Sequence, residues 1–127
     1  MSLDRILKAL IGLGLSQTDA EIYVHIATAG PATARSIINN LSINKRQIYR
    51  SLKALQQKGI ASGSDEYPAE FSVVSFEKTL DLLLEVKKEQ AKSLEASKAE
   101  LISDFQTEKK KFKNSNWLKR KNFSALL

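Results

Sequence analysis

Long polar side chains, most of them basic, recur along the segment that begins at residue 45. They are spaced by four, three and four residues: Arg46, Arg50, Lys53 and Gln57. At about 100° per residue this spacing places them on one side of a helix. The opposite side is apolar: Ile48, Leu52 and Leu55. Arginine can bond guanine O6 and N7 in the major groove of B-DNA, and lysine can neutralise a phosphate. The pattern therefore predicts a helix that binds nucleic acid, although a face that is only solvated has the same pattern.

The distribution of charge favours an anionic partner. The chain of 127 residues has a formal net charge of +6 and a pI near 9.6. No acidic residue lies between Glu21 and Asp65, whereas six basic residues fall in that window, and after Glu108 only bases follow. Such blocks suit nucleic acid or a phospholipid surface.

Residues that could support catalysis or metal binding are scarce. The chain has no cysteine and one histidine, His25, so a thiol nucleophile and a Cys/His metal site are excluded. The glycines Gly12 and Gly14 lack the third glycine and the preceding strand of a dinucleotide-binding loop. We therefore expect no enzyme activity, no cofactor and no metal. A secretory leader and an apolar run of roughly 20 residues are both missing, which favours the cytoplasm and argues against a membrane partner.

Four helices are predicted in the first part of the chain, the last of them the basic helix. Residues able to cap the second, third and fourth helices are Ser16, Thr33 and either Ser42 or Asn44. Glycines that can end the first, second and fourth helices are Gly12, Gly30 and Gly59. Two short helices separated by a tight turn, the second one basic, are typical of a helix-turn-helix.

A hairpin is predicted directly after the basic helix. Two short extended runs, residues 60–62 and 71–73, flank a centre rich in turn residues that contains Gly63 and Pro68. A hairpin that follows a recognition helix is a wing. The predicted fold class is thus mainly α with a small β-hairpin wing, a winged helix-turn-helix followed by a long dimerising helix.

Several segments in fixed order support this prediction: LGLS, AEIY, GPATA, IYRSLKALQQKGI, and then a proline and an aromatic residue in the wing. Together they resemble the N-terminal winged helix-turn-helix of the TrmB-like archaeal transcription regulators, over roughly residues 5–80. The resemblance implies a sequence-specific regulator that binds double-stranded DNA as a homodimer. The residues expected at the DNA are Thr33, Asn44, Lys45, Arg46, Gln47, Tyr49, Arg50 and Lys53.

The sequence departs from the pattern of that family in two places. The wing tip carries Asp65, Glu66 and Glu70, which argues against contacts between the wing and DNA. Sensing members of the family continue into an effector-binding domain, and this sequence stops about where that domain would begin. No small-molecule effector is therefore expected for this chain alone. The alternative function is a winged-helix module for protein interaction or nucleoid packaging, without sequence specificity.

The last part of the sequence predicts one long helix over residues 76–113 and a basic, aromatic-containing tail over residues 114–127. A seven-residue repeat of mostly apolar residues predicts a dimer contact: Leu80, Leu84, Ala91, Leu94, Leu101 and Phe105. Lys87, Lys98 and Glu108 weaken this seam. Alternatively, Leu80, Leu83 and Leu84 fold back onto the winged domain, which is predicted over residues 1–75. The tail could be a nucleic-acid arm or a membrane-surface segment, but its composition favours a frayed end or the remnant of a missing domain.

Overall fold

Helices dominate the part of the chain that the structure, a computed structural model, describes, which is residues 2–113. The elements in chain order are α1 (Ser2–Gly12), α2 (Gln17–Ala29), β1 (Ala32–Thr33), α3 (Ala34–Leu41), α4 (Lys45–Gln57), β2 (Ala61–Gly63), β3 (Glu70–Val73), α5 (Phe76–Ala96) and α6 (Lys98–Lys113). The predicted fold class, mainly α with a small β wing, is confirmed. Internal contacts divide the chain into two compact units, Met1–Lys87 and Lys88–Leu127. The predicted domain boundaries stay predictions, and the predicted tail lies outside the described residues.

Polar caps set the helix boundaries in the first unit. Ser16 Oγ accepts a hydrogen bond from the backbone N–H of Asp19 at 3.0 Å, which starts α2. Thr33 Oγ1 accepts from the backbone N–H of Ser36 at 3.2 Å and starts α3 in the same way. Ser42 ends α3 in the left-handed region, with φ 47° and ψ 34°, so the chain turns sharply before α4. The turn of the helix-turn-helix is therefore made by a residue in the left-handed conformation.

The wing hairpin, β2 and β3, is part of a three-stranded antiparallel sheet with the strand order β1-β3-β2. In the hairpin, Ala61 pairs with Val73 and Ser62 with Ser72, as the two predicted extended runs require. The third strand, β1, pairs Ala32 with Phe71 and was not predicted. Through β1 the wing is hydrogen-bonded to the residues immediately before α3. The start of the helix-turn-helix and the wing are thus held together.

The core of the first unit consists of apolar side chains from the helices and the sheet. Those that are almost completely buried include Leu10, Leu15, Ile22, Tyr23, Ile26, Ile37, Ile48, Leu52, Leu55, Ile60 and Leu83. Leu83 belongs to α5, so the first turns of α5 complete this core. That outcome agrees with the alternative in which this part of the helix covers the winged domain. Leu80 is half-buried, whereas Leu84 is largely exposed.

Tyr23 contributes a hydrogen bond as well as apolar area to the core. Its side chain is 1% exposed, and its hydroxyl donates to the backbone carbonyl of Val74 at 2.9 Å. We expect Tyr23→Phe to lower the free energy of unfolding by about 0.5 to 1.5 kcal/mol, because the carbonyl loses a buried donor. Urea denaturation measures the change. The matched control is Tyr49→Phe, whose ring is 47% exposed and which should alter stability little. Equal effects of the two variants would contradict this account.

The second unit contains the end of α5 and all of α6 within the described residues. The structure divides the predicted long helix at Ser97, although the backbone hydrogen bonds continue across the break. Ser97 N–H donates to Ser93 O at 3.2 Å, and Leu101 N–H donates to Ser97 O at 2.9 Å. The Ser97 hydroxyl also donates to the carbonyls of Ser93 and Leu94, at 3.0 and 3.3 Å. The hydroxyls of Thr79 and Thr107 bond back in the same way without interrupting their helices, so this bonding alone does not account for the division.

Candidate nucleic-acid interface and pairing face

The fourth helix presents the basic residues on the side opposite its buried residues. Ile48, Leu52 and Leu55 are at most 1% exposed and anchor α4 in the core. Arg46, Arg50 and Lys53 are exposed. At about 100° per residue these three side chains span an arc of roughly 60° around the helix. The predicted basic stripe is therefore a surface feature whose position is fixed by the buried stripe.

Within residues 2–113, no carboxylate oxygen lies within 4.0 Å of the cations of this stripe. In the part of the chain that the structure describes, the ion pairs within 4.0 Å are Lys92 with Glu89 and Lys111 with Glu108, both outside α4. A solvated helix usually mixes the two signs of charge, whereas α4 contains no acidic residue. The positive charge of α4 is thus available to an external anion.

A groove of about 830 Å³ separates the wing from α3 and α4. Its lining includes three of the residues predicted at the DNA, Thr33, Lys45 and Tyr49. On the wing side it is lined by Glu66, Tyr67, Pro68, Ala69 and Phe71. The structure therefore brings these three predicted residues together beside the wing, and Glu66 contributes negative charge to the same groove.

Four of the other predicted residues lie elsewhere on α4. Gln47 and Arg50 line a smaller concavity of about 330 Å³ together with residues at the start of α2, including Ser16 and Asp19. Arg46 and Lys53 are exposed and line neither concavity. The predicted set is thus spread over an exposed arc of α4 and the residues Thr33 and Asn44 beside it, and does not form a single pocket.

Two of the predicted residues also have structural roles. Asn44 Oδ1 accepts a hydrogen bond from the backbone N–H of Gln47 at 2.9 Å and is the N-cap of α4. Thr33 caps α3, as described above. Their cap bonds use a side-chain oxygen as acceptor, so the Asn44 amide N–H₂ and the Thr33 hydroxyl hydrogen remain potential donors to a phosphate.

Sequence analysis missed three polar residues of the groove. Arg35 and Asn39 of α3 line it, and Tyr67 at the wing tip is 100% exposed. Arg35 carried a signal, because it falls in the stretch without acidic residues. Asn39 and Tyr67 carried none, since their placement depends on how the wing packs beside α3.

A second candidate surface lies within the second unit. A shallow groove of about 870 Å³ on α5 and α6 is lined by Ala91, Leu94, Glu95, Lys98, Leu101, Ile102, Phe105 and Gln106, which we call the α5–α6 face. Leu94 is 63% exposed and Phe105 is 65% exposed, so large apolar side chains lie open to water. Four residues of the predicted seam belong to this face: Ala91, Leu94, Leu101 and Phe105. Ile102 was not predicted, because the seam was traced through only two positions of each seven-residue repeat and Ile102 occupies neither of them.

Other kinds of site have little support in the described residues. Within residues 2–113 no group of three or more His, Asp or Glu side chains could hold a metal ion. His25 is half-buried on α2. None of the helices described is long and apolar enough to cross a membrane.

Comparison of the sequence with protein families gives one match that bears on these surfaces. A family model described as "Sugar-specific transcriptional regulator TrmB" matches residues 10–77. This region contains the whole helix-turn-helix, the wing and the first residues of α5. No curated protein matches the chain.

Solved structures give three informative similarities. TrmBL2, described as an archaeal chromatin protein with a novel mode of DNA binding, has a TM-score of 0.72 and 19% identity, over 81% of this chain and 41% of TrmBL2. The chain thus spans about two fifths of the length of TrmBL2. The ST1889 protein from the thermoacidophilic archaeon Sulfolobus tokodaii has a TM-score of 0.59 and 21% identity, over 73% of this chain and 98% of that protein. The MarR family transcription regulator SP03579 has a TM-score of 0.51 and 14% identity, over 92% of this chain and 82% of that protein. These likenesses show a winged-helix fold.

Proposed function

Since the chain belongs to the TrmB family of transcriptional regulators, whose model matches more than half of its sequence, we propose that it is a sequence-specific regulator that binds double-stranded DNA as a homodimer. The observation that carries the proposal is the exposed basic stripe on α4, which forms no ion pair within residues 2–113 and lies opposite the buried Ile48, Leu52 and Leu55. In a winged helix-turn-helix this helix is the one that enters the major groove. Residues 1–75 are the proposed DNA-binding domain, and residues 76–113 the proposed pairing segment.

Different parts of α4 have different proposed roles. Arg46, Gln47 and Arg50 lie in its first two turns, which are the part of a recognition helix that reaches base edges. Lys53 lies a turn further along and contacts phosphate. Thr33, Asn44, Lys45 and Tyr49 surround the start of the helix and position it through the sugar-phosphate backbone.

A second candidate function is packaging of DNA without sequence preference. The observation that favours it is the similarity of the chain to TrmBL2, which is described as a chromatin protein. Both functions need the same basic helix, so affinity alone does not separate them.

Selection of bound molecules from random duplex DNA tests the proposal. We expect the selected duplexes to share a sequence with two related half-sites, because a dimer with two-fold symmetry presents two copies of α4. The selected duplex should then outcompete random duplex of equal length at matched salt. Enrichment of no common sequence, together with tight binding, would favour packaging instead.

Lys53→Ala tests the assignment of a phosphate contact. We expect the variant to bind the selected duplex and random duplex more weakly by similar factors, with an unchanged base preference. The slope of log affinity against log salt should become shallower by about one unit, because one fewer counterion is released. Titrations of both duplexes at several salt concentrations measure this slope. Lys92→Ala, which removes the same charge from α5, is the matched control and should leave the slope unchanged. A lost base preference in Lys53→Ala would contradict the assignment.

A further inference from the structure

The α5–α6 face contains charged residues that restrict how it can pair with a second copy of the chain. Along the seven-residue repeat, core positions are occupied by Lys87, Ala91, Leu94, Lys98, Leu101, Phe105 and Glu108. Lys98 lies in the middle of the exposed apolar groove, between Leu94 and Leu101. Any pairing of the face must therefore accommodate lysine at its centre.

A parallel pairing in register brings every core residue opposite its own copy. Lys87, Lys98 and Glu108 would then each lie directly opposite a group of the same charge, and like charges that are partly buried repel because they are screened little. Phe105 would also face Phe105, while Ala91 would face Ala91 and leave space. One exposed pair on the flank, Asp104 with Lys109 of the other copy, would be attractive, but water and salt weaken such pairs. Charge and size therefore both oppose the parallel arrangement.

An antiparallel pairing removes these direct oppositions, although in the register given below the two Lys98 side chains lie in neighbouring layers, about 4.5 Å apart along the axis. Along each helix the core positions are separated alternately by three and four residues. In an antiparallel pair the second helix runs in the opposite direction, so its spacings of three and four occur in the reverse order. Each seven-residue repeat has two core positions. The core residues of the two helices then lie opposite each other only when a residue at the first position faces a residue at the second, so no residue faces its own copy. Lysine at the centre of the face can lie along an apolar partner with its alkyl chain and keep its ammonium in water.

The extent of the exposed apolar residues selects the register. The large apolar side chains exposed on this face run from Leu94 to Phe105, so their midpoint lies between residues 99 and 100. When a face pairs with itself about a two-fold axis, that axis passes close to its midpoint. The layered register nearest to this requirement places Leu94 opposite Phe105 of the second copy, and Lys98 opposite Leu101.

We propose that two copies of this chain pair antiparallel through the α5–α6 face, with Leu94 of each copy against Phe105 of the other. The inference rests on the homodimer of the proposed function and specifies which face pairs and in which direction. Ile102 borders the same layers and adds apolar area to the pair.

Single cysteines test the orientation, because the natural chain contains none. In the proposed register, the two Leu94 positions of a dimer lie about 16 Å apart along the axis. A disulfide requires Cα atoms within about 7 Å, so Leu94→Cys alone and Phe105→Cys alone should form few covalent dimers under copper phenanthroline. An equimolar mixture, exchanged before oxidation, should form the mixed disulfide in several-fold higher yield. Ser103→Cys is the matched control, since this exposed residue of α6 does not line the groove.

A second cysteine pair keeps the test valid if loss of an apolar side chain weakens the dimer. Ala91→Cys and Glu108→Cys lie opposite each other in the same register and leave Leu94, Leu101 and Phe105 in place. Their mixture should also cross-link better than either variant alone.

The remaining outcomes contradict the inference in distinguishable ways. Efficient cross-linking of Leu94→Cys with itself would show a parallel pair. A dimer in sedimentation whose cross-linking never exceeds that of Ser103→Cys would show that another face pairs. A wild-type chain that is monomeric at tens of micromolar would remove the homodimer of the proposed function, and the inference with it.

Discussion

Arg46→Ala and Arg50→Ala are each expected to weaken binding to the selected duplex by about 5- to 150-fold, which corresponds to roughly 1 to 3 kcal/mol. Both side chains are exposed in the first two turns of α4, and neither forms an ion pair in the described part of the chain. Loss of a bidentate contact with guanine removes affinity and also relaxes the preference at one base pair. Titrations with the selected duplex and with its single base-pair variants measure both effects.

Arg5→Ala is the matched control for these two variants. Arg5 is an exposed arginine of α1 that lines neither concavity beside α4, so its removal changes the net charge by the same amount. We expect its affinity to stay within about twofold of the wild type at matched salt. If Arg46→Ala and Arg50→Ala bind the selected duplex as tightly as the wild type, the basic stripe is only a solvated face and the regulator proposal loses its main support.

The features that sequence analysis predicted correctly are those determined by neighbouring residues. Ser16, Thr33 and Asn44 each precede an apolar periodic run, and each accepts the backbone hydrogen bond of an N-cap. Gly30 and Gly59 have φ values of 95° and 78°, which explains why glycine ends the helices there. Because capping and turns act over three or four residues, the sequence contains the information needed to place them.

The features that were missed depend on residues far apart in the chain. The strand β1 contains two residues and has no alternating pattern, and it exists only because β3 pairs with it. The groove beside the wing likewise requires Tyr67 and Arg35 to be brought together by the packing of the sheet against the helices. The spacing of basic and apolar residues and the composition of the segment therefore predicted the basic stripe of α4. They did not predict which wing residues line the other side of the neighbouring groove.

The division of the long helix at Ser97 was also not predicted. Serine is tolerated inside helices, and the pattern of apolar residues continues through this position. Only the geometry shows that the hydroxyl bonds back to Ser93 and Leu94. The predicted seam residues Leu94, Leu101 and Phe105 line one groove, and their pairing stays a prediction, whereas the division between α5 and α6 was not predicted.

The homodimer leads to the second prediction with a large effect, for the double variant Leu101→Lys/Phe105→Lys. The wild-type chain should sediment at about twice its mass of 14.2 kDa at tens of micromolar. Both residues are more than half exposed, so lysine there should leave each chain folded. In a dimer, however, the substitutions place unpaired ammonium groups at positions withdrawn from water, which costs about 3 to 5 kcal/mol. We therefore expect the dissociation constant to rise by more than about 100-fold and the variant to sediment as a monomer.

Ser93→Lys/Ser103→Lys is the control for this variant, because it adds the same charge at exposed positions that do not line the α5–α6 face. It should remain a dimer, and circular dichroism should show unchanged helix content in both variants. The monomeric variant should also bind the selected duplex more weakly than the wild type, since two linked copies of α4 engage two half-sites with a high effective concentration. A double variant that still sediments as a dimer would place the contact on another surface, and it would leave the exposed apolar side chains of the α5–α6 face without their proposed partner.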